Sequence, residues 1–344
     1  MISFTCDYTE GAHPKILEEL NMTNYEQTEG YSEDKYCKEA IRIIKGKCNC
    51  EDVDIHFLVG GTQTNLTVIA AALRPYQGAL AAESGHINTH ETGAIEATGH
   101  KVLALESSDG KITADQIQNL YNDHYNADGP EHTVQPKLVY ISNPTEIGTL
   151  YSKAELTAIS ETCKKNNLIL YMDGARLGYA LCSEKNDLDL PTITKLCDAF
   201  YIGGTKVGAL FGEALVIKNQ NLKPDFRYLI KQRGGMLAKG RLLGIQFKAL
   251  LEDDTYFKIS KHADEMAMMI RKACMEKGYP FLADSYTNQQ FPIMPDAVLE
   301  KLKKNYEYSY WQRIDKNHSA VRFCTSWATK EENVLQLIND IKSV

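Results

Sequence analysis

Apolar runs of strand length alternate with helically patterned segments through the first two thirds of the chain. VDIHFLV (53–59) reads as a strand, followed by Gly-Gly and a helix through TNLTVIAAALR (64–74). GALAAE (78–83), KVLALE (101–106) and KLVYIS (137–142) are further strands. Between and after them lie helices through TADQIQNLY (113–121), with Thr113 as N-cap, and KAELTAISETCKKN (153–166). LILYM (168–172) is an unbroken apolar run, the pattern of a strand covered on both faces, and AFYIGG (199–204) and ALVIK (214–218) follow it. This alternation predicts an α/β fold with a mostly parallel sheet, whose ligands bind beyond the carboxyl ends of the strands. From about residue 220 the chain reads as long and helical through RYLIKQRGGMLAKGRLLGIQFKALL (227–251), and a last α/β portion runs to the end.

Composition narrows the partners. The 344 residues carry a net charge of -7 without a Lys/Arg block, which argues against nucleic acid or an anionic membrane and for a small ligand. The start, MISFTCDYTEG, shows no basic segment followed by a long apolar one, and no apolar run approaches bilayer length, so a cytoplasmic protein is expected. Nine cysteines, scattered apart from Cys48 and Cys50, read as reduced thiols rather than a disulfide framework. A zinc site in KCNCED lacks a second cysteine pair, and no metal is expected.

The residues after the strand ends carry the chemistry. Gly60, Gly61 and Thr62 open a helix, where free N–H groups and the positive dipole end favour an anion such as phosphate. His86 follows one strand, Asn143-Pro144-Thr145-Glu146 another, and Gly203-Gly204-Thr205-Lys206 a third. Asp173 ends the run 168–172, where an ionised group needs a cation or hydrogen-bond donors to meet it. Alone, each has a plain explanation: a glycine turn, a structural histidine, a helix-capping aspartate, a solvated lysine. Together they match what pyridoxal phosphate requires, namely a Schiff-base lysine, a carboxylate for the pyridine nitrogen, a phosphate cup and a flat group against the ring.

The segments GAHP, EGYSED, GGTQTN, SGHINTHETGA, NPTEIGTLY, MDGAR, GGTKVGAL and VRFCTSWAT span nearly the whole chain. In that order they resemble the L-threonine aldolases, within the wider β-eliminating lyase group of fold-type-I pyridoxal enzymes. MDGAR and GGTK are the specific signals. The resemblance implies a large cofactor-binding domain with a seven-stranded-type sheet over residues 12–248, and a small α/β domain from 249–344 together with 1–11. It implies that Lys206 carries the cofactor, Asp173 pairs with the ring nitrogen, His86 stacks on the ring, and Gly60, Gly61, Thr62 and Thr205 contribute to cofactor binding. Arg176 and Arg322 are similar in place to the family's carboxylate-binding arginines. It further implies a homodimer or homotetramer with sites shared between chains. Arg233 and Lys239, flanking Gly234-Gly235, are candidates to reach a neighbour's phosphate, with Tyr31 on the substrate side.

The activity implied is retro-aldol cleavage of a β-hydroxy-α-amino acid, such as L-threonine or L-allo-threonine, to glycine and an aldehyde. Two features depart from the family pattern. Cys6 stands where many members have serine, offering the substrate carboxylate a weaker donor, and Glu146 stands where one branch has histidine. Glu146, His86 and an ordered water are therefore all candidates for the general base. The alternatives are another pyridoxal lyase expelling a β-substituent, and a binding protein that kept the fold without the chemistry.

Overall fold

The computed structural model describes residues 1–343; Val344, the last residue of the expected small domain, lies outside them. Twelve strands are described: β1 (Ile2–Phe4), β2 (Asp54–Leu58), β3 (Gln77–Ala82), β4 (Lys101–Leu105), β5 (Gln135–Ser142), β6 (Ile169–Asp173), β7 (Ala199–Gly203), β8 (Glu213–Ile217), β9 (Gln289–Gln290), β10 (Ile293–Pro295), β11 (Tyr306–Arg313) and β12 (His318–Cys324). β2 to β8 form one seven-stranded sheet in the order β2-β8-β7-β6-β5-β3-β4. It is parallel except at β8, which runs antiparallel to both β2 and β7. The register places Ser142 opposite Asp173 and Gly203 opposite Glu213, so the polar ends of β5, β6, β7 and β8 come out along one edge.

Helices cover both faces, and the strands between them are correspondingly apolar: every residue of β7 and β8 is buried. Sequence-local signals start these helices where expected. Thr113 and Gln116 form a reciprocal capping box for Ala114–Tyr125, and Ser152 and Glu155 do the same for Lys153–Lys165. The helix after β2 begins at Gly61, three residues earlier than the apolar pattern suggests, because glycine and threonine enter a first turn without adding to an apolar stripe.

The stretch 227–251 is not one helix. Phe226–Gln232 and Arg241–Leu251 are separate, and the first ends at Gly234, whose φ of +72° suits glycine alone at no steric cost.

A second sheet, in the order β1-β11-β12-β10 with β9 paired to β12, joins the first residues to the last quarter of the chain. Phe4, Tyr306, Phe323, Leu337 and Ile341 share its own apolar core. The 22-residue helix Thr255–Glu276 packs on this core through Met266, Ile270 and Cys274, and on the large sheet's core through Tyr256 and Ala263.

Candidate active site

A cavity of about 340 Å³ opens at the carboxyl ends of β2, β5, β6 and β7. Nine of the residues singled out from sequence line it: Gly60, Gly61, Thr62, His86, Glu146, Asp173, Arg176, Thr205 and Lys206.

Asp173 is buried and meets four donors. Tyr201 Oη donates to Oδ1 at 2.5 Å and the Ala175 amide at 3.0 Å; Tyr140 Oη donates to Oδ2 at 2.7 Å and Asn65 Nδ2 at 3.0 Å. Burial alone would favour the protonated acid, but these donors and the nearby His86 hold its carboxyl below the usual range, so it stays ionised. The next helix, Leu177–Cys182, has Arg176 as its N-cap with no side-chain bond, so Asp173 is not a helix cap. Gly174 lets the turn pass over β7: a β-carbon there would stand 1.8 Å from Tyr201 O.

Lys206 follows β7. Burial, and then the Arg176 charge, push its amine below the ordinary lysine range. Thr205, expected to bind the cofactor, lines the cavity and secures the loop: its hydroxyl donates to Glu213 Oε1 at 2.9 Å and accepts from the Gly212 amide at 2.9 Å. Glu213, at the start of β8, was not anticipated. It is buried, also accepts from the Gly204 amide at 3.0 Å, and its carboxyl is raised chiefly by burial.

On the opposite wall, His86 Nδ1 is 2.7 Å from Glu91 Oε1, a buried acid that also accepts from Asn65 Nδ2 at 2.7 Å. One amide thus bridges the Asp173 and His86 carboxylate partners. Glu146 Oε1 accepts from the His86 amide and from Ser142 Oγ, both at 2.8 Å, and burial raises its carboxyl.

Arg176 reaches the cavity with its fork already engaged: Nε and Nη2 donate to the buried Asp7 at 2.7 and 2.9 Å. Arg322 is on β12, bonded to Gln289 Oε1 at 3.1 Å and to Thr5 O at 2.7 Å, next in chain to Cys6; neither Arg322 nor Cys6 lines the cavity, whereas Tyr8 does. Tyr31, Arg233 and Lys239 do not line it either. Tyr31 is exposed beneath Lys231 Nζ, its amide bonded to Ala238 O, and the Arg233 side chain turns to Gln232. Tyr31 thus lies against the 226–241 segment, in which Lys239 is exposed and Arg233 half-buried.

Pyridoxal phosphate fits the residues present. The 12-residue helix from Gly61 has no side-chain cap at Gly60, leaving its first amides for a phosphate. An ionised carboxylate and a desolvated lysine face the same space. Asp173 already meets four donors, and a cationic ring N–H would displace the weakest at least cost: Asn65 Nδ2, at 3.0 Å, keeps Glu91 Oε1 as its other acceptor.

The beta-eliminating lyase family matches residues 18–297. The chain belongs to that family. Among its relatives, a low specificity L-threonine aldolase of Pseudomonas sp. (strain NCIMB 10558) is 30% identical over 99% of this chain and 97% of its own length. A solved Leishmania major threonine aldolase superposes with a TM-score of 0.97 at 45% identity, covering 100% of this chain and 99% of that one. A Thermus thermophilus aspartate aminotransferase shares the fold at a TM-score of 0.72 and 12% identity. No helix among the described residues is long and apolar enough to cross a membrane.

Proposed function

We infer that this chain is a pyridoxal-phosphate-dependent aldolase that cleaves L-threonine, L-allo-threonine and related β-hydroxy-α-amino acids to glycine and an aldehyde. The observation that carries this reading is the meeting of Lys206, Asp173 and an open helix start around one cavity, in a family member whose relatives over its full length are threonine aldolases.

When bound, pyridoxal phosphate supplies an electron sink for the pair left on Cα as the Cα–Cβ bond breaks. The amides of Gly61 and Thr62, with Gly60, hold its phosphate, Lys206 attaches it, and Asp173 keeps a proton on the ring nitrogen. Tyr201, Tyr140 and Asn65 keep Asp173 ionised for that task. Arg322 and the free edge of Arg176 bind the substrate carboxylate, with Cys6 beside them, and so turn the Cα–Cβ bond toward the reactive orientation. His86, its ring tied through Nδ1 to Glu91, flanks the cofactor. Glu146 takes the β-hydroxyl proton: it lines the cavity, and burial raises its carboxyl, which makes it a stronger base than an ordinary glutamate.

The working unit is a homodimer, or a dimer of dimers, in the cytoplasm. Tyr31 and Tyr228 expose apolar surface on neighbouring segments, and Tyr31, Arg233 and Lys239 serve the partner's cavity from there.

The test is chemical. Borohydride reduction of the yellow holoprotein followed by peptide mapping places the pyridoxyl group on Lys206, and L-threonine or L-phenylserine yields glycine and an aldehyde. A label on another lysine removes the assignment; pyruvate and ammonia instead of glycine make the enzyme an eliminating lyase.

A further inference from the structure

Four ionisable groups in the cavity, Lys206, Glu213, Asp173 and Glu146, make no ion pair among the described residues. Lys206 Nζ makes no ion pair among the described residues, and Glu213 accepts only from neutral donors, the Gly204 amide and the Thr205 hydroxyl. None of the other acids bonds to the turn 203–206 that carries Lys206. Asp7 holds Arg176 and accepts from Asn288 Nδ2, Asp173 has its four donors, and Glu91 lies between His86 and Asn65. Glu146 is bound to Ser142 and the His86 amide on the far wall. A desolvated cation and a buried acid without compensation are each costly, and Glu213 is the acid held on the lysine's own turn.

The loop fixes their relation. Glu213 lies opposite Gly203 in the β7–β8 register, and its two oxygens hold the two residues that directly precede Lys206 in the chain. The Gly204 and Thr205 amides both bond to Gly212 O, at 2.9 and 3.1 Å, so the hairpin that carries Glu213 also carries the lysine. A carboxyl built only to brace this turn could be an amide.

We propose that Glu213 is a positioning residue that sets the protonation of Lys206: ionised, it retains a proton on Nζ; protonated, it leaves Nζ a neutral nucleophile. This rests on reading Lys206 as the lysine that carries the cofactor. The groups whose charge bears on the pair are Arg176, which opposes a charged Lys206, and Asp7 and Asp173, which favour it; Asp173 also opposes ionisation of Glu213. Arg176 and Asp7 neutralise one another, and Asp173, held ionised by its neutral donors, is a constant background charge. Glu213 is therefore the group whose replacement changes the balance at Nζ with least disturbance elsewhere.

The experiment is Glu213→Gln, which keeps an acceptor for the Gly204 amide and removes the titration. The rate of reductive methylation at Lys206 in the apoprotein, followed by mass spectrometry against pH, gives the amine's midpoint; the visible absorption of the holoprotein against pH, without substrate, gives a second. Both midpoints are expected to fall by about one pH unit on loss of the anion, with cofactor still bound. Unchanged midpoints in a folded variant overturn the proposal and leave Glu213 a loop brace. Should Glu213→Gln fail to fold, Glu213→Asp, with its carboxylate withdrawn by one methylene, shifts the midpoints the same way by less, and no shift there overturns it as well. A borohydride label on a lysine other than Lys206 is a separate outcome, which overturns the functional reading beneath it.

Discussion

Arg176 grips Asp7 at two points, Nε to Oδ2 at 2.7 Å and Nη2 to Oδ1 at 2.9 Å, with both groups buried. An arginine assigned to the substrate carboxylate thus already holds a protein carboxylate, and through it the segment 5–8 that borders the cavity. Burial would raise Asp7, but the guanidinium keeps it below the usual carboxylate range.

The two arginines should therefore separate experimentally. Asp7→Asn leaves Arg176 buried without its counter-charge, a loss of about 3–5 kcal/mol, read as a lower denaturation midpoint. Arg322→Lys keeps the charge but loses the planar fork, so KM for the amino acid should rise roughly tenfold with stability nearly unchanged. Equal stability losses in the two variants would place Arg322 in the same structural role as Arg176.

Asp173→Asn tests the ring-nitrogen role. The amide fits the space and still accepts from Tyr201, but it no longer stabilises a protonated ring, so cofactor should remain bound while kcat falls on the order of 10²–10³-fold. Near-normal turnover would make the four-donor cluster a purely structural device.

Most of the fold was legible because strands covered by helices must be continuously apolar, and the polar residues that end those runs stand out as chemistry. Asp173, Lys206, His86, Glu146 and the Gly60–Thr62 turn surfaced in that way and line one cavity. Tyr140 and Tyr201 did not, because an aromatic inside an apolar run counts as core; each is buried, and only the hydrogen bonds across the strand ends show that both hydroxyls reach Asp173. Glu213 opens a strand, where a carboxylate reads as a solvated end, yet β2 and β7 on either side bury it. Asp7 meets Arg176 across 169 residues of sequence, a pairing no local pattern encodes. Thr205 was legible as a loop residue, but its hydroxyl is consumed by Glu213 and Gly212.

Glu146 makes a pH prediction with a definite sign. A base must be ionised to accept the β-hydroxyl proton, and burial raises this carboxyl above its ordinary value. Activity should fall as pH drops through that raised value, so the acid limb of kcat/KM lies above the range of a free glutamate. Glu146→Gln should lower kcat on the order of 10²-fold and remove that limb. Retention of the limb in a weakened variant would transfer the proton to His86 or to an ordered water.

The remaining prediction concerns Tyr31, Arg233 and Lys239, which do not line the cavity of their own chain. Gln63, in the first turn of the helix from Gly61, donates from Nε2 to Arg233 O at 3.0 Å, so the main chain of this segment is fixed to that helix while the Arg233 side chain turns to Gln232. Gly234 turns the chain with a positive φ and has open space where a β-carbon would be, so its conformation, not crowding within the chain, calls for glycine. A basic pair projecting from a braced turn, beside the exposed rings of Tyr31 and Tyr228, suits contact with a second copy whose cavity supplies the anion. The paired test mixes Lys206→Ala with an Arg233→Ala/Lys239→Ala double variant, each inactive alone. After subunit exchange, a hybrid dimer has one cavity with an intact lysine and an intact basic pair donated across the interface, so roughly a quarter of wild-type activity should return, the statistical yield of one good site in half of the dimers. Demonstrated exchange without recovery, or full activity in a species that sediments as a monomer, would show that each chain completes its own site.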